Sequence, residues 1–538
     1  MKSNDIVHLF MAQKPDDIFK DVKTFFQLPV VPEYLPSEML TAACYRALGF
    51  EGLRDNWISL NGKALTKLYE KKQGVESQPF FADEVWRILK NVLLSPEDPK
   101  QKRAQKFPEF FFLAPIVPST SYFSNPVRLK RNPNAPGGTP WNVELLVKAL
   151  VAYSSKDKTD SDELWDILFR RLSVEKGVAE DYFARIVEEV LRTCAAAIVA
   201  DDSAAAEHFP AWKMRENSIY ADGKFLIDRN DRLVFSEISP LDEIRNGLRL
   251  VLGQKKRFSR WQWMTMLDAQ LRMSVVALVL WLLDLHHVAD MAIYKYVIKG
   301  EDIPAVDARD FFKLLYRDNH VNNVFCYGEG FAKAQKNVVT RYAREHLRLS
   351  FFLSLTKQID ESVYGEVDWS SIEGFVGSLR LLQKLYSSSV NNALYVRGVI
   401  EMLDEKSEDL NPKKSRLKHI LEFFTVLRQK AVVDSQSDFM RYDQSYLVRK
   451  KGSYSSAPFV VDMGSMACFT IVFCCANGRR VFPLKDLYAY LARYYISVRD
   501  AHVDQFVSHL KGLGLTMDSP DAGDGLMVCN PFYAEGQK

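Results

Sequence analysis

The chain has 538 residues, 47% apolar, 26% charged and 12% aromatic, with a formal net charge of +3. The length exceeds one ordinary domain and predicts about three or four units, and the aromatic content excludes an extensively disordered polymer. The near-neutral balance excludes a global field drawing the protein onto polyanions, so any nucleic-acid contact must use local basic patches.

Met1–Gln13 lacks the basic region, apolar core and cleavage site of a secretory signal, so a cytoplasmic location is expected. Residues 1–131 read as a mixed, mostly helical domain, with helical spacing over Ser37–Leu48 and Ala82–Leu94. Asn132–Pro140 breaks the pattern, because its glycines and prolines cannot continue a helix or a central strand. Residues 141–433 then read as a central helical domain. Ser154–Ser161 is a polar loop, and a helix is expected from Asp162 to about Ala200, with Leu164, Ile167, Leu168 and Leu172 on one face. Ser218–Ile238 is expected to form a small β meander: Ile219–Tyr220, Lys224–Ile227 and Leu233–Phe235 are separated by the turn pairs Asp222-Gly223 and Asn230-Asp231.

Helices resume near Pro240. The apolar run Met273–Leu283 falls short of the roughly twenty residues that span a bilayer, and is expected as a buried core helix. Leu379, Leu382, Tyr386, Val390, Ala393, Val396, Ile400 and Leu403 keep helical spacing, as do Leu417, Ile420, Leu421, Phe424 and Leu427 after the start signal Asn411-Pro412. Residues 440–538 read as a C-terminal domain. Strands are expected at Ser445–Val448, Phe459–Val461 and Cys468–Cys474, with Asn477-Gly478 as a hairpin turn into Arg479–Phe482.

In the last segment, Leu484, Leu487, Tyr488, Leu491 and Tyr494 share one helical face, and Val503, Phe506, Val507, Leu510 and Leu513 share another. Ser497 and Asp500 read as a capping box for the second helix, and Gly512 with Gly514 as its stop. Leu515–Met517 and Leu526–Val528 can pair across Asp518–Gly525. By this order of elements, Phe482–Phe532 resembles the winged-helix superfamily. The resemblance implies that the second helix enters the major groove while the wing touches phosphate. It would place Arg499, His502, Gln505, Ser508, His509 and Lys511 at the contact. Asp500 and Asp504 on that helix, and Asp518, Asp521 and Asp524 in the wing, depart from a phosphate-binding pattern. Duplex binding and protein docking therefore both stand.

Further positive charge is concentrated in Lys255, Lys256, Arg257 and Arg260, interleaved with Phe258, Trp261 and Trp263, a composition suited to phosphate contact and base stacking. Arg341, Arg344 and Arg348 fall on one helical face and could track a phosphate backbone or form a salt-bridged surface. Lys413–His419, Arg449-Lys450-Lys451 and Arg479-Arg480 are lesser patches.

Catalytic signals are sparse. The seven scattered cysteines form no CxxC pair. Tyr327-Gly328-Glu329-Gly330 lacks the sequel of a phosphate loop, and no GxSxG, HExxH or GxGxxG occurs. Asp284, His286, His287 and Asp290 could place metal ligands on one helical face, with Asp318 or His320 as a further ligand. The expected fold is mainly α and multi-domain, a helical body with small β elements and a C-terminal winged-helix-like module. The expected function is a non-catalytic DNA-binding or adaptor subunit of a bacterial multi-protein DNA-processing or anti-phage defence complex. Its expected partners are double-stranded DNA and other protein subunits, with no cofactor, metal or membrane. A metal-dependent nuclease or hydrolase centred on Asp284 and His287, and a protein-docking scaffold, are the alternatives.

Overall fold

The computed structural model describes residues 143–172, 229–387, 420–517 and 526–533, with short breaks at 255–256, 259, 322–323, 422, 430, 434–439, 443, 453 and 455, together with residues 24–26 and 28. The described residues are mainly helical. The expected helices at 37–48, 82–94 and 388–403, the break at 132–140, the strands at 219–220 and 224–227, and the patch 413–419 lie outside them.

The body is built around one long helix. The helices α1 (Val143–Ser154), α2 (Lys158–Leu172), α3 (Arg229–Ile238) and α4 (Leu241–Gly253) lead into α5 (Arg260–Ala292), which continues as a π-helical turn, Ile293–Ile298. No residue from Val275 to Leu283 is more than 3% exposed. A helix apolar all round is stable only when neighbours sheathe every side, and α1, α4 and the later helices do so. The stretch Thr265–Ile298 is long and apolar enough to cross a bilayer by length and composition, and its most apolar window is wholly buried inside the protein. Residues 24–26 join the same core: Phe25 N–H donates to Trp369 O (2.9 Å), and Phe25 and Phe26 are buried.

The rest of the body comprises α6 (Ala308–Asn319), β1 (Phe325–Cys326), α7 (Phe331–Ile359), α8 (Glu361–Glu366) and α9 (Ile372–Ser387). Asp307 caps α6 by accepting from Arg309 N–H, and Asp360 caps α8 by accepting from Ser362 and Val363 N–H. A 3-10 turn (Phe424–Leu427) follows, then two antiparallel pairs: β2 (Ala431–Val433) with β3 (Met440–Tyr442), and β4 (Val448–Lys450) with β5 (Phe459–Val461).

The C-terminal unit runs α10 (Ser465–Ala476), β6 (Val481–Pro483), α11 (Leu484–Arg493), β7 (Ile496–Ser497), a 3-10 turn (Asp500–His502), α12 (Val503–Gly512), β8 (Thr516–Met517) and β9 (Met527–Cys529). Its sheet has the order β6-β9-β8, antiparallel throughout. One hydrophobic cluster takes residues from α1 through β9.

Several expected elements differ. Leu233–Phe235 is helical within α3, not a strand. Leu233 is 62% exposed while its neighbours Val234 and Phe235 are buried, and two consecutive inward residues fit a helix but not a pleated strand. Asn230-Asp231 is the start of that helix rather than a reversal, and Asp231 accepts from Ile372 N–H (2.9 Å). Cys468–Cys474 is helical within α10; nearly every residue of the run is buried, so it carries no period to separate helix from strand. Asn477-Gly478 ends that helix instead of turning a hairpin. Asn477 has φ 45° and Gly478 φ 86°, and the left-handed backbone that favours Asn-Gly in hairpins also suits a helix stop. Ser497 is not a cap: it lies in β7, and its Oγ is 3.2 Å from Cys326 Sγ.

Candidate functional site

The C-terminal unit is anchored through α12 and the strand before it. β7 pairs in parallel with β1, Phe325 opposite Ile496 and Cys326 opposite Ser497. Phe506 and Leu510 of α12 point inward, and the Phe506 ring meets Tyr327 (5.0 Å) and Tyr488 (6.0 Å). Asp504, Gln505, Ser508 and Lys511 point outward, preceded by exposed Arg499 and Asp500. Arg499 donates to Glu329 Oε1 (2.8 Å). His502 is half-buried against Gly328, whose φ is +80°; a Cβ there would sit 2.5 Å from His502 Nδ1. Gly328 is thus required twice, by its backbone and by the close approach of the ring. Residues 518–525, expected as the wing, lie outside the described residues.

The basic patches fare differently. Lys255 and Lys256 also lie outside the described residues. Arg257 is exposed, and Arg260 opens α5. Phe258 packs on Phe532 (4.6 Å between centroids), which places this stretch beside the end of the C-terminal sheet. In α7, only Arg344 of the three arginines is exposed. Arg341 and Arg348 turn inward, so the three do not form one outward row.

Those inward arginines belong to a ladder between α5 and α7. Arg341 lies 3.8 Å from Asp284 and 3.7 Å from Glu345. His287 Nδ1 donates to Glu345 Oε1 (2.5 Å). Arg348 forks onto both oxygens of Asp290, with Nε at 3.0 Å from Oδ1. Partner numbers rise together along both helices, so α5 and α7 run parallel here. Asp284, Asp290 and Glu345 are buried. Burial pushes the Asp284 carboxyl above its usual range, offset by Val321 N–H and Arg341. Burial likewise lifts Asp290 to about 7 against the pull of Arg348. The arginines of α7 against the carboxylates of α5 satisfy the cost of burying charge only while both partners are present.

The residues expected as metal ligands are separated by this arrangement. Asp284, His287 and Asp290 are committed to three different rungs. His286 points elsewhere, its ring against Phe26 (4.9 Å), Tyr342 (5.2 Å) and His346 (5.8 Å), and burial lowers it to about 3. His320 stacks on Tyr316 (5.1 Å, 15°), and Asp318 is exposed beside Arg317. Among the described residues no three His, Cys, Asp or Glu side chains converge on a point that could hold a metal ion.

A cleft of about 550 Å³ opens where α3, α6 and α11 end, lined by Glu237, Lys313, Leu314, Arg317, Arg493 and Tyr495 among others. At its floor the Tyr316 and Tyr495 hydroxyls are 3.5 Å apart. Its charges are largely matched, Lys313 with Glu237 (2.8 Å) and Arg493 with Glu243 (3.4 Å). Tyr495 has φ 61°, a left-handed residue stopping α11. No stretch of sequence announced this cleft, because its walls come from three distant segments. The 326–330 loop was equally unannounced as a contact point for α12; its two glycines, Gly328 and Gly330, were the one local signal.

No protein-family model matches the chain, and neither a curated protein nor a solved structure matches it significantly.

Proposed function

We propose that residues 465–533 form a winged helix, and that the protein is a non-catalytic subunit which engages duplex DNA through it or adapts partner proteins to DNA. The observation that carries this reading is topological. Apart from β7, which lies between α11 and α12 and pairs outside the unit with β1, the order is helix, strand, helix, helix, strand, strand, with the first strand pairing the last; a winged helix uses that order, and on this reading α12 is its recognition helix. Its outward side chains, Gln505, Ser508 and Lys511, are hydrogen-bonding types able to meet base edges or phosphate. A multi-protein DNA-processing complex, anti-phage defence included, is the setting this architecture suits, on general likeness alone.

The test is fluorescence anisotropy of a labelled duplex with the full-length protein across a salt series. Binding at micromolar level or weaker, with steep salt dependence, is expected. Gln505→Glu with Ser508→Glu should weaken it by about tenfold or more, since both additions repel phosphate. Absence of duplex binding at low salt retires the DNA reading. Docking of a protein partner on the same face is favoured by one observation, the outward Asp500 and Asp504. In that case the double variant loses a co-purifying partner while duplex affinity stays unchanged.

A further inference from the structure

The α12 surface is short of positive charge, and the fold places a source of it alongside. We propose that the β4–β5 hairpin is a second nucleic-acid contact, gripping the phosphate backbone of the duplex whose groove α12 enters; this rests on the DNA reading above.

The connection is made by the 325–330 segment, which turns between two sets of hydrogen bonds: Glu329 N–H donates to Cys326 O (3.0 Å) and Gly328 has φ 80°. On one side β1 pairs with β7, and Tyr327 N–H donates to Ser497 O (2.9 Å). On the other, Gly328 N–H donates to Val461 O (2.8 Å), Val461 N–H donates to Glu329 O (3.0 Å), and Gly330 bridges Val460. β5 in turn pairs with β4. One short segment therefore abuts both β7, the strand that leads into α12, and β5, the inner strand of the hairpin. Arg499, just ahead of α12, donates to Glu329 of that segment (2.8 Å), so the hairpin and the start of α12 are neighbours.

The side chains suit that position. Lys451 is exposed and Lys450 half-buried, and among the described residues no carboxylate pairs with either. Arg449 is half-exposed and held by Asp462, which also accepts from Tyr327 OH (3.2 Å). Tyr454 is 58% exposed at the tip, beside Gly452, whose φ is +113°. Counted together, Arg449, Lys450, Lys451, Arg499 and Lys511 face Asp462, Glu329, Asp500 and Asp504, five cations against four carboxylates. The charge is unevenly spread. Lys450 and Lys451 sit on the hairpin, Lys511 near the end of α12, and the exposed carboxylates Asp500 and Asp504 at its start. Carboxylates in a groove can accept from the cytosine amino group, while lysines belong over phosphate.

The experiment compares full-length wild type, Lys450→Glu/Lys451→Glu and Gln505→Glu/Ser508→Glu on one labelled duplex from low to moderate salt. Both hairpin positions reach the surface, so thermal denaturation should match wild type. The proposal expects the hairpin variant to bind about tenfold or more weakly, with the slope of log K against log salt reduced by about two, one for each lysine taken off the phosphates. Wild-type binding that is abolished in the α12 variant but unchanged in affinity and slope in the hairpin variant overturns the hairpin contact and leaves the DNA reading intact. Wild type that does not bind duplex at all overturns both.

Discussion

Replacing Arg348 by Met tests whether the α5–α7 ladder is a set of obligatory pairs. The Asp290 side chain is 6% exposed and that of Arg348 15%. The void beside them is lined by Ile293, Ile298 and Phe352 and is about 10 Å³, room for at most about one water in place of a two-pronged partner. Arg348→Met therefore leaves a carboxylate buried without its fork of hydrogen bonds, a change that costs about 3–5 kcal/mol. The sign of the pH dependence follows from the carboxyl. Its ordinary value is 3.8 and burial raises it to about 7 with Arg348 in place, so removing the cation raises it further. A carboxyl raised in the folded state takes up a proton on folding, and its penalty grows as pH rises through that window. Urea denaturation followed by tryptophan fluorescence should show the full loss at about pH 8. Near pH 5.5, where Asp290 is neutral, the loss should shrink to roughly 1–3 kcal/mol, the cost of an unsatisfied neutral group. Asp290→Leu combined with Arg348→Met should recover most of it. A loss under about 1 kcal/mol at pH 8, or one equal at both pH values, would refute the reasoning.

Two further predictions concern single side chains. His286 is lowered to about 3 by burial, so the unfolded chain binds a proton near 6.5 that the folded chain refuses, and stability falls as pH drops from about 6.5 toward 3 by up to about 1.4 kcal/mol per pH unit. His286→Gln should flatten that acid slope, and parallel stability–pH curves for the two proteins would count against it. Asn477 has φ 45° at the end of α10; Asn477→Ala should cost about 1 kcal/mol and Asn477→Gly almost nothing, which denaturation midpoints would separate.

What could be read from the chain, and what could not, follows from where each signal resides. The burial of Met273–Leu283, the helices at 484–493 and 503–512, and the pairing of 516–517 with 527–528 were legible because period and turn chemistry are local. Cys468–Cys474 was not, since a run buried on every side has no alternation to read. Spacing put Arg341, Arg344 and Arg348 on one face, but which way that face looks depends on Asp284, Glu345 and Asp290, and nothing in the spacing tells. The parallel contact of Phe325–Cys326 with Ile496–Ser497 joins segments far apart in the chain, and the cleft at Tyr316 and Tyr495 is formed the same way.

The burial of α10 has a practical consequence. Its residues Cys468 and Ile471–Ala476 are buried, against α5 and α4 on one side and α11 on the other. Excising the last seventy or so residues as a separate fragment would strip apolar surface from both pieces at once, and each would be prone to aggregate. Transplanting α12 onto another scaffold, or trimming it away as a control, is for that reason a poor experiment. Point substitutions on the intact protein are the way to dissect it.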